Sequence, residues 1–194
     1  NYERIFSEAK NLGMDLVLSV YDNEGLQFAL DIGVIALKIA SSNITNLDLI
    51  SKVGLTMKNI IVDTGHSTIE EIARCINILR DVGNENIIVQ HSPLPPPEDV
   101  LKHNLRFMNT LGTTFQVPYG LSDHHYSEEM MYAAVALGAL VVEKGVCDDS
   151  LQIEQDRSYG LDISRVSDVY LKLKNISRAL GSGKRYLRRD REKY

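Results

Sequence analysis

Short apolar runs rich in β-branched residues recur along the chain and alternate with segments in which apolar residues return every three or four positions. The runs are Leu16-Val17-Leu18-Ser19-Val20-Tyr21, Ala36-Leu37-Lys38-Ile39-Ala40, Ile60-Ile61-Val62, Ile87-Ile88-Val89, Thr114-Phe115-Gln116-Val117 and Leu140-Val141-Val142-Glu143. Continuous rather than alternating hydrophobicity predicts strands covered on both faces, as in a parallel sheet. The clearest helical pattern places Ile69, Ile72, Ala73, Ile76 and Leu79 on one face, opened by Ser67 with Glu70 three residues later and closed near Gly83. Such spacing predicts a capping box followed by an amphipathic helix. Further helices are expected over residues 2–12, 24–32, 47–53, 98–111, 126–137 and 164–180.

The β, α, β, α rhythm predicts an α/β fold, either a doubly wound sheet or a (β/α)8 TIM-type barrel. A barrel typically takes about 250 residues in eight units. With 194 residues and six visible units, the barrel reading implies a chain seen without its first part. Residues 1–183 are therefore read as a partial barrel, and 184–194, a mixed charge run after Gly181-Ser182-Gly183, as a charged linker or tail. A barrel with unpaired edge strands calls for something to cover them, either a second copy in a homodimer or a further segment.

Composition narrows the function classes. The chain is 44% hydrophobic with a net charge of -5, which argues against a nucleic-acid or anionic-membrane surface as its main partner. No run approaches a membrane span. Two cysteines, Cys75 and Cys147, provide no disulfide framework, so a cytoplasmic setting is expected.

In parallel α/β folds the chemistry sits at the carboxyl ends of the strands. There the chain carries Tyr21 and Asp22, then Lys38, Ser41, Ser42 and Asn43, then Asp63, Thr64, Gly65 and His66. His91 and Ser92 follow, then Ser122, Asp123, His124 and His125, and finally Glu143, Lys144 and Cys147. Lys38 interrupts an apolar strand, where a cation needs a partner or a ligand. It is read as contacting an anion or carbonyl in the mouth, against the alternatives of an outward salt bridge or an imine-forming amine. Ser122-Asp123-His124-His125 is placed in the loop after a strand, as metal-binding imidazole or as hydrogen-bonded loop and helix cap. Glu143 is a general acid or base, or a salt-bridge partner for a lysine. His103 is expected on an exposed helix face, Cys75 in helix packing, and the prolines after His91 as stiffeners of one mouth loop.

Taken together, Leu37-Lys38-Ile39-Ala40-Ser41 with Thr45-Asn46-Leu47, Thr64-Gly65 with Thr68-Ile69-Glu70-Glu71-Ile72, Gly120-Leu121-Ser122-Asp123-His124, Ala136-Leu137-Gly138-Ala139 with Glu143-Lys144, and Ala179-Leu180-Gly181-Ser182-Gly183 resemble the sialic acid (N-acetylneuraminate) synthase family. The resemblance runs from about Phe6 to Gly183. It implies a transferase on a (β/α)8 barrel that condenses phosphoenolpyruvate with an N-acyl hexosamine such as N-acetylmannosamine. Phosphate is released, and a divalent metal, manganese or magnesium, is used. By position, Ser19, Lys38, Ser41 and Ser122 match residues that hold phosphoenolpyruvate, His124 a metal ligand, Glu143 an active-site carboxylate and Asp156 an acid that contacts the sugar. Lys38 and Glu143 are the expected catalytic pair.

The chain also departs from that pattern. The second metal-binding histidine is here Gly145, the serine before Thr-Gly is here Asp63, and the stretch after His91 lacks an asparagine and a tyrosine used for substrate. Asp63 is then either a negative charge in the substrate site or a replacement ligand, as Cys147 or His125 would be. These departures motivate an alternative: a homologue without synthase chemistry that acts as a sugar- or anion-binding or assembly subunit.

Overall fold

The computed structural model describes residues 2–93, 100–148, 150 and 157–184. A leading helix α1 (Tyr2–Asn11) precedes six parallel strands, β1 (Val17–Val20), β2 (Ala36–Ile39), β3 (Asn59–Asp63), β4 (Ile87–His91), β5 (Tyr119–Asp123) and β6 (Val141–Lys144). They lie in one sheet in chain order, each hydrogen-bonded to the next. Helices α2 (Asn23–Asp31), α3 (Leu47–Leu55), α4 (Ile69–Asp81), α5 (Phe107–Phe115) and α6 (Glu129–Ala136) connect them. A two-stranded ladder of β7 (Val146–Cys147) and β8 (Leu161–Asp162) and a last helix α7 (Val166–Leu180) follow. The expected barrel-type α/β fold is what the chain adopts: six parallel strands curl into a half-barrel with helices between them. Among the described residues no helix is long and apolar enough to cross a membrane.

Alternation along each strand divides the sheet into two faces. Val20, Leu37, Ile39, Ile60, Val62, Ile87 and Val89 join Leu26, Ala29, Ile50, Val53, Ile72, Ile76 and Leu79 of the helices in one buried cluster. That helix-facing layer is the core. Short side-chain caps fix where the helices start. Asp22 accepts from the Gly25 amide at 2.7 Å at the start of α2, and Asn46 accepts from Leu49 at 3.3 Å at the start of α3. The box on α4 forms one residue later than the sequence reading placed it: Thr68 caps Glu71, and the Glu71 carboxylate accepts from the Thr68 amide at 2.8 Å.

One strand is displaced from its expected place. Thr114 and Phe115 end α5, whose Met108, Leu111, Gly112 and Phe115 are buried at helical spacing. Gln116 closes that helix in the left-handed conformation, φ 55° and ψ 46°. The true fifth strand is Tyr-Gly-Leu-Ser-Asp, so Ser122 and Asp123 are strand residues rather than loop residues. Gly120 stands there because a Cβ would strike the Val141 carbonyl of the neighbouring strand. His103 is also corrected: it is 1% exposed, its ring 4.8 Å from that of His125. It sits in a short 3-10 turn (Val100–His103) that folds back over the end of β4. Residues 185–194 of the expected tail, and 94–99 of the proline stretch, lie outside the described residues.

Candidate active site

On the sheet face opposite the helices, register fixes which side chains stand together. Ser19 pairs with Lys38, Lys38 with Ile61, Asp63 with Gln90, Gln90 with Gly120, and Ser122 with Glu143. Because residues two apart share a face, each of the six strands sends one polar group inward near its carboxyl end: Ser19, Lys38, Asp63, Gln90, Ser122 and Glu143. The curl of the sheet brings four of them, Lys38, Asp63, Ser122 and Glu143, into contact.

Lys38 is the hub of the group. Its ammonium donates to both carboxylate oxygens of Glu143, at 2.6 and 2.7 Å, and pairs with Asp63 Oδ2 at 2.9 Å. Ser122 Oγ donates to Glu143 Oε1 at 3.2 Å. Asp63 Oδ1 accepts the Gly65 amide at 3.1 Å, so both of its oxygens are engaged. Burial pulls the Lys38 pKa down, but Asp63 and Glu143 together outweigh it and hold it above the ordinary lysine value. The amine is therefore locked as an ammonium, and a nucleophilic role for it through an imine finds no support in this arrangement.

His124 follows β5 directly, half-buried, its ring edge-on to Tyr159 at 5.1 Å. Burial lowers its pKa, partly offset by the nearby charges of Asp63 and Glu143, which favours the neutral form of the imidazole. Its Nδ1 is buried without a hydrogen-bond partner. A metal needs more than one such donor, and position 145 is glycine. Among the described residues no group of three His, Cys, Asp or Glu side chains is placed to hold an ion. Asp63 and Glu143 are spent on Lys38, and Cys147 and His125 do not complete a set. On their own, the described donors do not fit the divalent metal implied by the resemblance.

The remaining expected residues fall as follows. Ser19 is half-buried beside Lys38 in the register, and Ser41 opens a 3-10 turn (Ser41–Asn43) just past β2, against Gly65. Asp156 lies outside the described residues. His66 is exposed in the loop before α4, and Asp22 is occupied as a cap. Sequence reading missed Gln90, fully buried on the inner face, whose amide donates to the Leu121 carbonyl at 3.1 Å while its Oε1 has no partner. The available signal was a polar residue directly after the apolar run of β4.

The neighbouring strand positions face the other way. Asp123 and Lys144 form a buried pair at 2.7 Å beneath the loop, where the Asp123 carboxylate also accepts the His125 amide at 3.0 Å and the ammonium donates to the carbonyls of His125 and Ser127. His91 donates from Nε2 to the His103 carbonyl at 2.8 Å. These groups shape the mouth from behind and do not enter it.

Convergent polar side chains at the carboxyl ends of sequential parallel strands place this chain in the class of (β/α)-barrel proteins that carry their chemistry at the strand ends. More narrowly, residues 1–185 match the NeuB family, and the chain belongs to it. The resemblance drawn from the sequence motifs is thereby borne out. The chain is 29% identical over 184 residues to an N,N'-diacetyllegionaminic acid synthase of Campylobacter jejuni, covering 94% of this chain and 55% of that protein. It is 30% identical over 181 residues to a pseudaminic acid synthase of Helicobacter pylori, covering 93% and 53% respectively. Among solved structures it superposes on an N-acetylneuraminic acid synthetase from Leptospira borgpetersenii with a TM-score of 0.88 at 25% identity, over 97% of this chain and 66% of that one. The chain thus spans about half the length of the curated relatives it matches.

Proposed function

We propose that this chain forms the phosphoenolpyruvate-binding side of a nonulosonic acid synthase. In that reaction the enol carbon of phosphoenolpyruvate attacks the aldehyde carbon of an N-acyl hexosamine of the N-acetylmannosamine type. Water is consumed, and a nine-carbon acid and phosphate are released. The observation that carries the reading is the Lys38, Ser122 and Glu143 cluster at the strand ends of a NeuB-family half-barrel. Barrel residues at this face are not needed to fill the core, so charged side chains there point to ligand chemistry.

In this reading Lys38 and Ser122 donate to the carboxylate or phosphate of phosphoenolpyruvate, with the Ser19 and Ser41 hydroxyls adding donors. Asp63 orients the ammonium and keeps it charged. Glu143, on the same face, is assigned the role of holding or moving a proton during the reaction. Asp156 is assigned to sugar contact by the family pattern alone.

The test is phosphate release from phosphoenolpyruvate by the natural full-length protein across a panel of N-acyl amino sugars. Release that depends on the sugar and falls about 100-fold or more in Lys38→Met supports the synthase. One observation favours a second reading, a binding homologue without synthase chemistry: Gly145 stands at the second histidine position. No release from folded protein that still binds amino sugar or phosphoenolpyruvate would establish that reading instead.

A further inference from the structure

We propose that Glu143 is a built-in competitor of the anionic substrate: its carboxylate occupies the oxyanion position on Lys38 and Ser122, and it must swing out for a ligand to enter, while Asp63 stays behind as the permanent counter-ion. The proposal rests on the reading of Lys38 and Ser122 as anion-binding groups.

Counting donors leads to it. A lysine ammonium has three N–H groups, and the three short contacts of Lys38 Nζ are Glu143 Oε1 at 2.6 Å, Glu143 Oε2 at 2.7 Å and Asp63 Oδ2 at 2.9 Å. Ser122 spends its hydroxyl proton on Glu143 Oε1. The Lys38 and Ser122 donors are therefore already committed to carboxylates, and two of the three Lys38 contacts, with that of Ser122, go to the same one. Two donors from strands β2 and β5 converging on one carboxylate is the geometry expected for a bound carboxylate or phosphate oxygen pair.

The two carboxylates are not equivalent. The Asp63 side chain is 6% exposed, with one oxygen on the Gly65 amide and the other on Lys38, so losing its cation would strand a buried charge. The Glu143 side chain is 42% exposed and stands one residue from the end of β6. On leaving Lys38 it reaches water, which repays its lost hydrogen bonds. Charge gives the same order of events. One ammonium between two carboxylates leaves the cluster at a net single negative charge, which repels an incoming oxyanion. With Glu143 withdrawn, the Lys38–Asp63 pair is neutral and two N–H groups and one hydroxyl are free. The ligand class is a small carboxylate or phosphate, matched to a site that provides few donors and no excess positive charge.

The experiment is calorimetric titration of the full natural chain, without sugar, using phosphoenolpyruvate and, separately, inorganic phosphate as probes. It compares wild type, Glu143→Gln, Glu143→Ala and Lys38→Met, with thermal melts showing each to be folded. The expected result is binding abolished in Lys38→Met and tightened about tenfold or more in both Glu143 variants, because they no longer compete. Lys38-dependent binding that is unchanged or weaker in both Glu143 variants overturns the competitor and leaves the anion site standing. No Lys38-dependent binding in wild type or either Glu143 variant overturns the anion site, and the competitor with it.

Discussion

Lys38 and Glu143 are 105 residues apart in the chain, yet their side chains meet at 2.6 Å. They belong to the second and sixth strands of a sheet in strict chain order, with three strands between them. In a flat sheet four interstrand steps would separate those strands by roughly 19 Å. The contact exists because the sheet curls, so the same ion pair is both a site contact and a measure of curvature. It ties the chemistry of the mouth to the shape of the half-barrel.

Removing the cation is therefore expected to cost stability as well as binding. Lys38→Met strands the buried Asp63 carboxylate, and urea unfolding should show a loss of about 3 kcal/mol, the magnitude for breaking a buried pair from one side. Adding Asp63→Asn should restore part of that loss. An additive double mutant would show that the two side chains do not stabilise each other.

Gly65 holds Ser41 at the mouth by its lack of a side chain. Its φ is +43°, and a Cβ there would lie 2.5 Å from Ser41 Cβ and 2.7 Å from Ser41 Oγ. Gly65→Ala should cost about 1–2 kcal/mol from the left-handed backbone alone. It should also move the Ser41 hydroxyl, and shift the Gly65 amide that Asp63 accepts. Chemical denaturation reads the first effect, and phosphoenolpyruvate affinity in the variant reads the second.

Acid should loosen the back of the mouth. Burial lowers the pKa of both His91 and His103, in His103 reinforced by the neighbouring His125 and Lys144 and opposed by Asp123. With folded values below the unfolded one, the unfolded chain binds more protons, so stability rises with pH. The loss on acidification should begin near pH 6.5, the usual histidine value, and level off below the folded values. Melting temperatures at pH 7.5 and 5.5 measure it. His103→Leu, which removes a ring with neither nitrogen hydrogen-bonded, should flatten the profile.

Lys38 should resist trapping. An amine held as an ammonium by two carboxylates has no lone pair for imine formation. Borohydride added in the presence of pyruvate or an aldehyde sugar should leave the mass of the Lys38 peptide unchanged. A reduced adduct on that residue would restore the aldolase-type alternative.

The sequence disclosed elements where local pattern and tertiary role agreed. Strands β1, β2, β3, β4 and β6 and the amphipathic α4 announce themselves by continuous hydrophobicity and by helical spacing. At Thr114-Phe115-Gln116-Val117, β-branched and aromatic content mimicked a strand, but Phe115 completes the buried face of α5 and Gln116 ends it. The real strand hid behind a glycine and two polar residues, because its inner face serves the site and not the core. Lys38 and Glu143 were legible as charges in apolar runs. The pairing of Asp63 with Lys38, the burial of His103 and the inward placement of Gln90 depend on register and on a turn folding back, which no local window contains.

The strict chain order of the strands has a kinetic consequence. Each strand pairs with its immediate successor, so the sheet is built from short loop closures and is expected to grow by accretion of one βα unit at a time. The Lys38–Glu143 contact spans four such units and forms only when the curl is complete. Substitutions at that pair should therefore quicken unfolding and leave the refolding rate nearly untouched, since the transition state is crossed before the mouth exists.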